Sequence, residues 1–235
     1  MKKHLLIFGA LLPFFGFSQD GTLDQTFGTN GLALGDGIYA VKSVKTQTDG
    51  KIVTCGTKSD ANGTDFFIAR YNTNGQLDNT FDTDGIAIID FSGKTEEALD
   101  LGIQADGKII AAGYAINSNN NSDIAIIRLN SNGSLDNTFG TSGKVTTDIQ
   151  NSTTDRANKF TILPDGKIVV IGTGGTDIFS QNIIVKYNTD GTLDNTFDTD
   201  GKIVAFAFAA FLPSTLTDIK TLDDGKVLFS GRSFN

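Results

Sequence analysis

The chain has 235 residues, with 27 acidic against 19 basic, a single histidine, a single cysteine and no tryptophan. A net charge of −8 argues against a nucleic-acid backbone as partner, because phosphate recognition is built on basic patches. One cysteine excludes an intrachain disulfide, so a hydrophobic core must supply the stability, and a chain of this length can build one.

The first residues read as an export signal. Lys2 and Lys3 precede the apolar stretch Leu5–Phe17, and Gly16 and Ser18 are the small residues expected before a cleavage point. Thirteen residues are too few for a bilayer, which needs roughly 20. The expectation is a signal peptide over residues 1–18, secretion or display at the cell surface, and no stable membrane insertion after cleavage. His4 leaves with that segment, so the remaining domain, 19–235, holds no histidine. That removes Ser-His and Cys-His catalysis and histidine-ligated zinc. Of the 27 acids, 25 are Asp, a residue suited to turns because its short carboxylate bonds nearby backbone N–H groups.

The rest of the chain repeats. The heptapeptide Gly-x-Leu-Asp-x-Thr-Phe begins at Gly21, Gly75, Gly133 and Gly191, at intervals of 54, 58 and 58 residues. Asp-Gly-Lys begins at Asp49, Asp106, Asp165 and Asp224, at intervals of 57, 59 and 59. Two markers keeping step four times define units of about 21–74, 75–132, 133–190 and 191–235, the last one incomplete.

Each unit is predicted to hold four short strands. The first is of the kind Ile86–Asp90 or Lys144–Asp148, and the second resembles Ala98–Ala105. A third, such as Lys108–Ala112, ends at Gly56, Gly113, Gly172 or Gly231. The fourth is Phe66–Tyr71, Ile124–Leu129 or Ile183–Tyr187. Asp-Gly between β-like runs predicts a type I′ hairpin. Cys55 is expected as a buried strand thiol, and Ile203–Phe211 as a strand buried on both faces.

The fold class that follows is all-β: a β-propeller-type array of four-stranded antiparallel blades, about four repeats of roughly 58 residues. A β-solenoid is the alternative. Because the last unit stops before its fourth strand, the sequence is expected to be the N-terminal part of a longer protein.

The paired markers, LDxTF with a following Gly and DGK followed by Ile or Val before a short strand and Gly, resemble the delta-60 repeat family of bacterial β-propeller-like proteins. The resemblance covers the whole of 19–235. It implies a propeller-like fold and no particular reaction.

Most carboxylates recur with the repeat, as Asp24, Asp78, Asp136 and Asp194 do, which points to turn and packing roles. Phe27, Phe81, Phe139 and Phe197 are expected to anchor the crossing between blades. Arg70, Arg128 and Lys186 are expected to pair with the heptapeptide Asp; the alternative is a ring of ligand-binding cations. Asp82-Thr83-Asp84-Gly85 and Asp198-Thr199-Asp200-Gly201 have the Asp-x-Asp-Gly form of calcium loops. Asp78, Asp82, Asp84, Asp194, Asp198 and Asp200 are therefore candidate calcium ligands, with no other cofactor indicated. The functional expectation is a non-enzymatic scaffold for a protein or a glycan. The alternative is a carbohydrate-active enzyme using an Asp pair. The two are separated by whether the repeat-breaking acids Glu96, Glu97, Asp155 and Asp177 meet in one pocket.

Overall fold

A computed structural model describes residues 22–33, 39–91, 94–149, 154–176, 179–205 and 214–233. The expected signal peptide, Asp177 and the end of the apolar run, 206–211, lie outside the described residues. Among the described residues there are fourteen strands and no helix. The strands are β1 (Tyr39–Thr46), β2 (Ile52–Ser59), β3 (Thr64–Tyr71), β4 (Ile86–Ile89), β5 (Glu96–Ile103), β6 (Ile109–Ile116) and β7 (Ser122–Leu129). They continue as β8 (Lys144–Thr147), β9 (Arg156–Ile162), β10 (Ile168–Thr176), β11 (Phe179–Tyr187), β12 (Lys202–Ala205), β13 (Ser214–Thr221) and β14 (Val227–Ser233).

They form three antiparallel four-stranded meanders, β1–β4, β5–β8 and β9–β12, followed by the pair β13–β14. The array is all-β and propeller-type, as the repeat predicts. First strands of successive sheets approach one another, β1 to β5, β5 to β9 and β9 to β13, so they form the inner side of the array.

The sheets are out of phase with the sequence units. The heptapeptide lies inside a sheet, in the connection between third and fourth strands (72–85, 130–143 and 188–201), and not at the crossing between blades. One blade therefore takes its first three strands from one sequence unit and its fourth from the next. Residues 214–233 supply the first two strands of a further blade.

Both repeat markers build the same turn. At Asp106-Gly107 the Gly107 N–H bonds the Gln104 carbonyl, the Gln104 N–H bonds Lys108 O, and only the glycine takes a positive φ, 83°. The Asp106 carboxylate accepts from the Lys108 N–H at 3.1 Å. This is the pattern of a type I turn followed by a left-handed glycine, not the type I′ hairpin expected from the dipeptide. An Asp that bonds the backbone two residues on stabilises that alternative. Asn130 to Ser134 repeats the arrangement, with Asn132 as the acceptor, 3.1 Å from the Ser134 N–H.

The glycine expected to end each third strand of the sequence unit lies within a strand. Gly113 sits mid-β6 opposite Ala98, beside a bulge that leaves Leu99 unpaired, and β6 runs on to Ile116. A Cβ at Gly113 would collide with the Glu97 carbonyl; Gly56 meets Ala40 and Gly172 meets Arg156 in the same way. The glycine is there for close approach across the bulge, not for termination.

Core residues alternate between the two faces of each sheet. Val53, Cys55, Phe66 and Ile68 pack on Ala98, Leu101, Ile109 and Ile127 of the next blade. Ile110, Ala112, Ile124 and Ile126 pack on Phe160, Ile168, Val170 and Val185. Strands buried on both faces read as continuous apolar runs, which is what Ile124–Ile127 shows in the sequence. Stability therefore resides in blade-on-blade contact. Gly113→Ala should cost about 2–3 kcal/mol by forcing the bulge apart. Urea unfolding would check this, and an unchanged midpoint would contradict the close-approach reading.

Candidate functional site

The most heavily bonded side chains lie where one heptapeptide meets the next. Asp136 is buried; its Oδ2 receives Arg128 Nε at 2.6 Å and Lys108 Nζ at 2.9 Å. Its Oδ1 receives the Thr138 N–H at 3.1 Å and the Thr138 hydroxyl at 2.7 Å. Asp78 has the same set, with Arg70 at 2.7 Å, Lys51 at 2.8 Å and Thr80. Asp194 uses Lys167 at 2.9 Å, Lys186 at 3.2 Å and Thr196. The predicted pairing of Arg70, Arg128 and Lys186 with the heptapeptide Asp is present, and the two arginine pairs are buried rather than solvated.

Each arginine also reaches forward. Arg70 Nη1 donates to Ser131 O, and Arg128 Nη1 to Thr189 O, both in the turn of the following blade. The Arg70 guanidinium lies 4.8 Å from the Phe81 ring centre, and that of Arg128 4.7 Å from Phe139. Below them the Asp82 N–H bonds Asn132 O at 2.7 Å and the Gly140 N–H bonds Asp190 O at 2.7 Å; Gly28 and Asn74 repeat it. The Phe is thus an anchor between blades, although its loop is not the crossing itself.

Burial alone would raise the Asp136 pKa. Hydrogen bonds from Lys108, from the Thr138 side chain and backbone and from Arg128 outweigh it and hold the carboxyl well below the usual carboxylate range. Asp78 is held down in the same way by Lys51, Thr80 and the Arg70 charge. For Asp194 the Thr196 hydroxyl is the leading cause, followed by Lys167.

These bonds decide where the candidate calcium ligands stand. Asp78 and Asp194 are committed to cations. Asp84 accepts from the Ile86 N–H at 3.0 Å, and Asp200 from the Lys202 N–H at 3.0 Å. Asp82 and Asp198 occupy left-handed positions, φ 46° and 45°, where the other two repeats carry Gly28 and Gly140. Asp198, Thr199 and Asp200 line an open hollow with Lys202 and Val204. The six aspartates are not brought together as two three-carboxylate sets.

Two other acidic groups do converge: Asp65, Asp90 and Glu96 at the first blade junction, and Asp123, Asp148 and Asp155 at the second. Within each, one oxygen per residue lies within 4.8 Å of the others. Glu96 and Asp155 are fully buried and accept backbone N–H groups of Phe91 at 2.8 Å and Ile149 at 2.6 Å. Each thus ties the crossing between blades to the start of the next first strand. Burial raises the pKa of Asp65, with help from Asp90, and that of Asp123. Sequence reasoning missed the pairs Asp65/Asp123 and Asp90/Asp148, although both recur at 58 residues.

Glu97 stands apart, 3.7 Å from Lys42. On the inner strands Asp100 receives the Ser43 hydroxyl at 3.0 Å, Lys159 Nζ at 3.4 Å and the Phe160 N–H at 3.2 Å. Cys55 is buried as expected; burial and then the Asp100 charge push its thiol up to about 12.

Three segments, 47–81, 104–139 and 163–197, match the family described as a domain of unknown function (DUF5122) beta-propeller. Each begins at or beside the turn before a blade's second strand and ends at the heptapeptide Phe, so one propeller-type repeat falls in each full blade. No curated protein matches the sequence. Among solved structures, a catalytically inactive virginiamycin B lyase from Staphylococcus aureus with quinupristin aligns at TM-score 0.32 and 12% identity over 84% of this chain. The alignment spans only 65% of that lyase's chain. A hypothetical protein from Leishmania major aligns at TM-score 0.29 and 11% identity, over 83% of this chain and 82% of its own. Likenesses this distant bear on neither the site nor the chemistry.

The depressed carboxylates predict blade junctions that weaken in acid. Their folded pKa lies below the unfolded value of about 3.9, so their stabilisation is complete above that pH and is lost as pH falls towards the folded value. Asp136→Asn should cost about 3 kcal/mol at pH 7, because it leaves Arg128 buried without its counter-charge. The difference from the parent should shrink as pH drops below about 4. Urea unfolding of both proteins across that range is the measurement, and a pH-independent difference would contradict the ion-pair reading.

Proposed function

We propose that the chain is an exported, non-enzymatic β-propeller scaffold of the delta-60 type, presenting a rigid surface to a protein or a glycan outside the cell or at its surface. The observation that carries this reading is the separation of Glu96, Glu97 and Asp155 among the described residues, Asp177 lying outside them. Glu96 and Asp155 sit at equivalent places in two different blade junctions, each buried and each bonded to backbone. Glu97 is paired separately with Lys42. A glycosidase needs two carboxylates flanking a substrate in an open cleft, one of them free to give up a proton. Here Glu96 and Asp155 hold the loops between blades.

The charge balance fits the same reading. With residues 1–18 removed, 17 basic and 27 acidic residues remain, a surface suited to staying dispersed and unsuited to phosphate backbones. The hydrophobic N-terminal segment supports export, with Gln19 at the mature terminus.

Expression in a secreting bacterial host, followed by intact-mass measurement, should give a product beginning at Gln19. That product, incubated with xylan, β-glucan and pectin, should release no reducing ends. Release of reducing ends by the purified, folded product would overturn the scaffold reading in favour of the carbohydrate-active enzyme. A product retaining residues 1–18 would overturn export by this signal.

A further inference from the structure

The chain holds four Asn-Gly pairs, Asn30-Gly31, Asn62-Gly63, Asn74-Gly75 and Asn132-Gly133. This dipeptide is chemically unstable in water. The glycine amide nitrogen can attack the asparagine side-chain carbonyl carbon, and the missing Cβ leaves that approach open. Attack requires an amide that can give up its proton and a side chain free to turn into line, so the fold decides which pairs react.

Three of the pairs are held. The Gly31 N–H donates to Phe27 O, that of Gly75 to Asn72 O and that of Gly133 to Asn130 O, each at 2.9 Å. Gly75 and Gly133 are also buried in the seam. Their asparagine side chains are engaged: Asn74 Oδ1 accepts the Gln76 N–H at 3.1 Å, and Asn132 Oδ1 accepts the Ser134 N–H at 3.1 Å and its hydroxyl at 2.8 Å. An aspartate fits the same turn, since Asp190 accepts the Thr192 N–H at 3.0 Å in the third blade. What the fold opposes at these turns is the attack, not the product.

Asn62-Gly63 differs. It lies in the loop between β2 and β3, with Asn62 exposed. The turn is closed by the Asp60 N–H on Gly63 O at 3.0 Å and by the Asn62 backbone N–H on Asp60 Oδ1 at 2.7 Å. Neither bond uses the Gly63 N–H or the Asn62 side-chain amide, and among the described residues these two groups make no hydrogen bond. Glycine is required at 63 for a separate reason, because a Cβ there would stand 2.4 Å from Lys94 O at the entry to the second blade. The packing that fixes the glycine leaves a reactive pair in place.

We propose that Asn62 is a self-modification site, converting in the folded protein to aspartate and isoaspartate while the seam asparagines persist. The Gly63 nitrogen bonds to Asn62 Cγ. Its proton passes through solvent to the side-chain nitrogen, which leaves as ammonia, and the cyclic imide takes up one water. Opening at one imide carbonyl gives aspartate; opening at the other reroutes the backbone through the side chain as isoaspartate. Each conversion adds a carboxylate to the loop of Asp60, whose charge already acts on Asp65 together with that of Asp90.

The test is incubation of the purified full chain at mildly alkaline pH, folded or in guanidinium chloride, followed by tryptic mapping with mass spectrometry. The peptide Ser59–Arg70 contains Asn62 and no other asparagine, while Tyr71–Lys94 and Leu129–Lys144 contain Asn74 and Asn132. From the folded protein, Ser59–Arg70 should gain the mass of an amide-to-acid exchange at least about ten-fold faster than the other two. It should also separate into two products of equal mass. In guanidinium chloride the three peptides should convert at comparable rates. Asn62→Gln, at an exposed position, should keep the parent's melting curve and leave Ser59–Arg70 unchanged. Equal conversion of the three peptides in the folded protein, or a seam peptide converting first, would overturn the proposal. So would mass gain persisting in Asn62→Gln, or Ser59–Arg70 staying intact while the unfolded sample reacts.

Discussion

A carboxylate buried at the foot of each blade junction constrains the rest of the structure. Asp136 leaves water only because Arg128, Lys108 and Thr138 surround it, and Asp78 only because Arg70, Lys51 and Thr80 do. A buried charge stripped of its partners costs several kcal/mol, so these residues have to arrive together. They come from different parts of a blade: Lys108 from beside the hairpin turn, Arg128 from the third strand, Asp136 from the loop before the fourth. Satisfying one carboxylate thereby sets the register of the sheet.

The same group looks outward. With Nε and Nη2 held by Asp136 and Thr138, the Arg128 Nη1 is left to reach the Thr189 carbonyl in the next blade. The guanidinium covers Phe139, which fills the space beneath the Asp190-Gly191 turn. Charge, ring and backbone hydrogen bond are thus one device joining neighbours whose larger contact is apolar. A buried ion pair is a weak source of net stability compared with apolar residues of similar volume. Its value here is directional, since each blade can be seated in one position only. The third junction departs from the pattern: Lys186 replaces the arginine, and its Nζ lies 5.8 Å from the Phe197 ring centre.

Much of this was legible in the sequence. Two markers in step gave the repeat, and Asp-Gly with alternating apolar runs gave antiparallel strands. The recurrence of Arg70, Arg128 and Lys186 opposite the heptapeptide Asp gave the ion pairs. The phase of the blade was not legible, because a repeat has no natural start and the motif boundary is not the sheet boundary. The bulge glycines were misread as strand ends, since a glycine that admits a facing carbonyl and one that ends a strand look the same in one dimension. The Asp65/Asp90/Glu96 group escaped because its members come from a third strand, the end of a fourth and the next first strand. The calcium candidates rest on the form of the loops, shared by Asp82 and Asp198, with Asp78 and Asp194 added from upstream; the contacts of these two with Lys51 and Lys167 join segments 27 residues apart and were not legible.

Successive heptapeptides are joined into one continuous seam, and native-state hydrogen exchange at the amides of Asp82 and Gly140 is the measurement that tests it. Both lie in loops, yet both donate at 2.7 Å to the next blade. Protection should equal that of the strand amides of Ile126 and Val170, because opening the seam requires separating blades. Exchange at the rate of an exposed turn would show that the blades are held by apolar stacking alone.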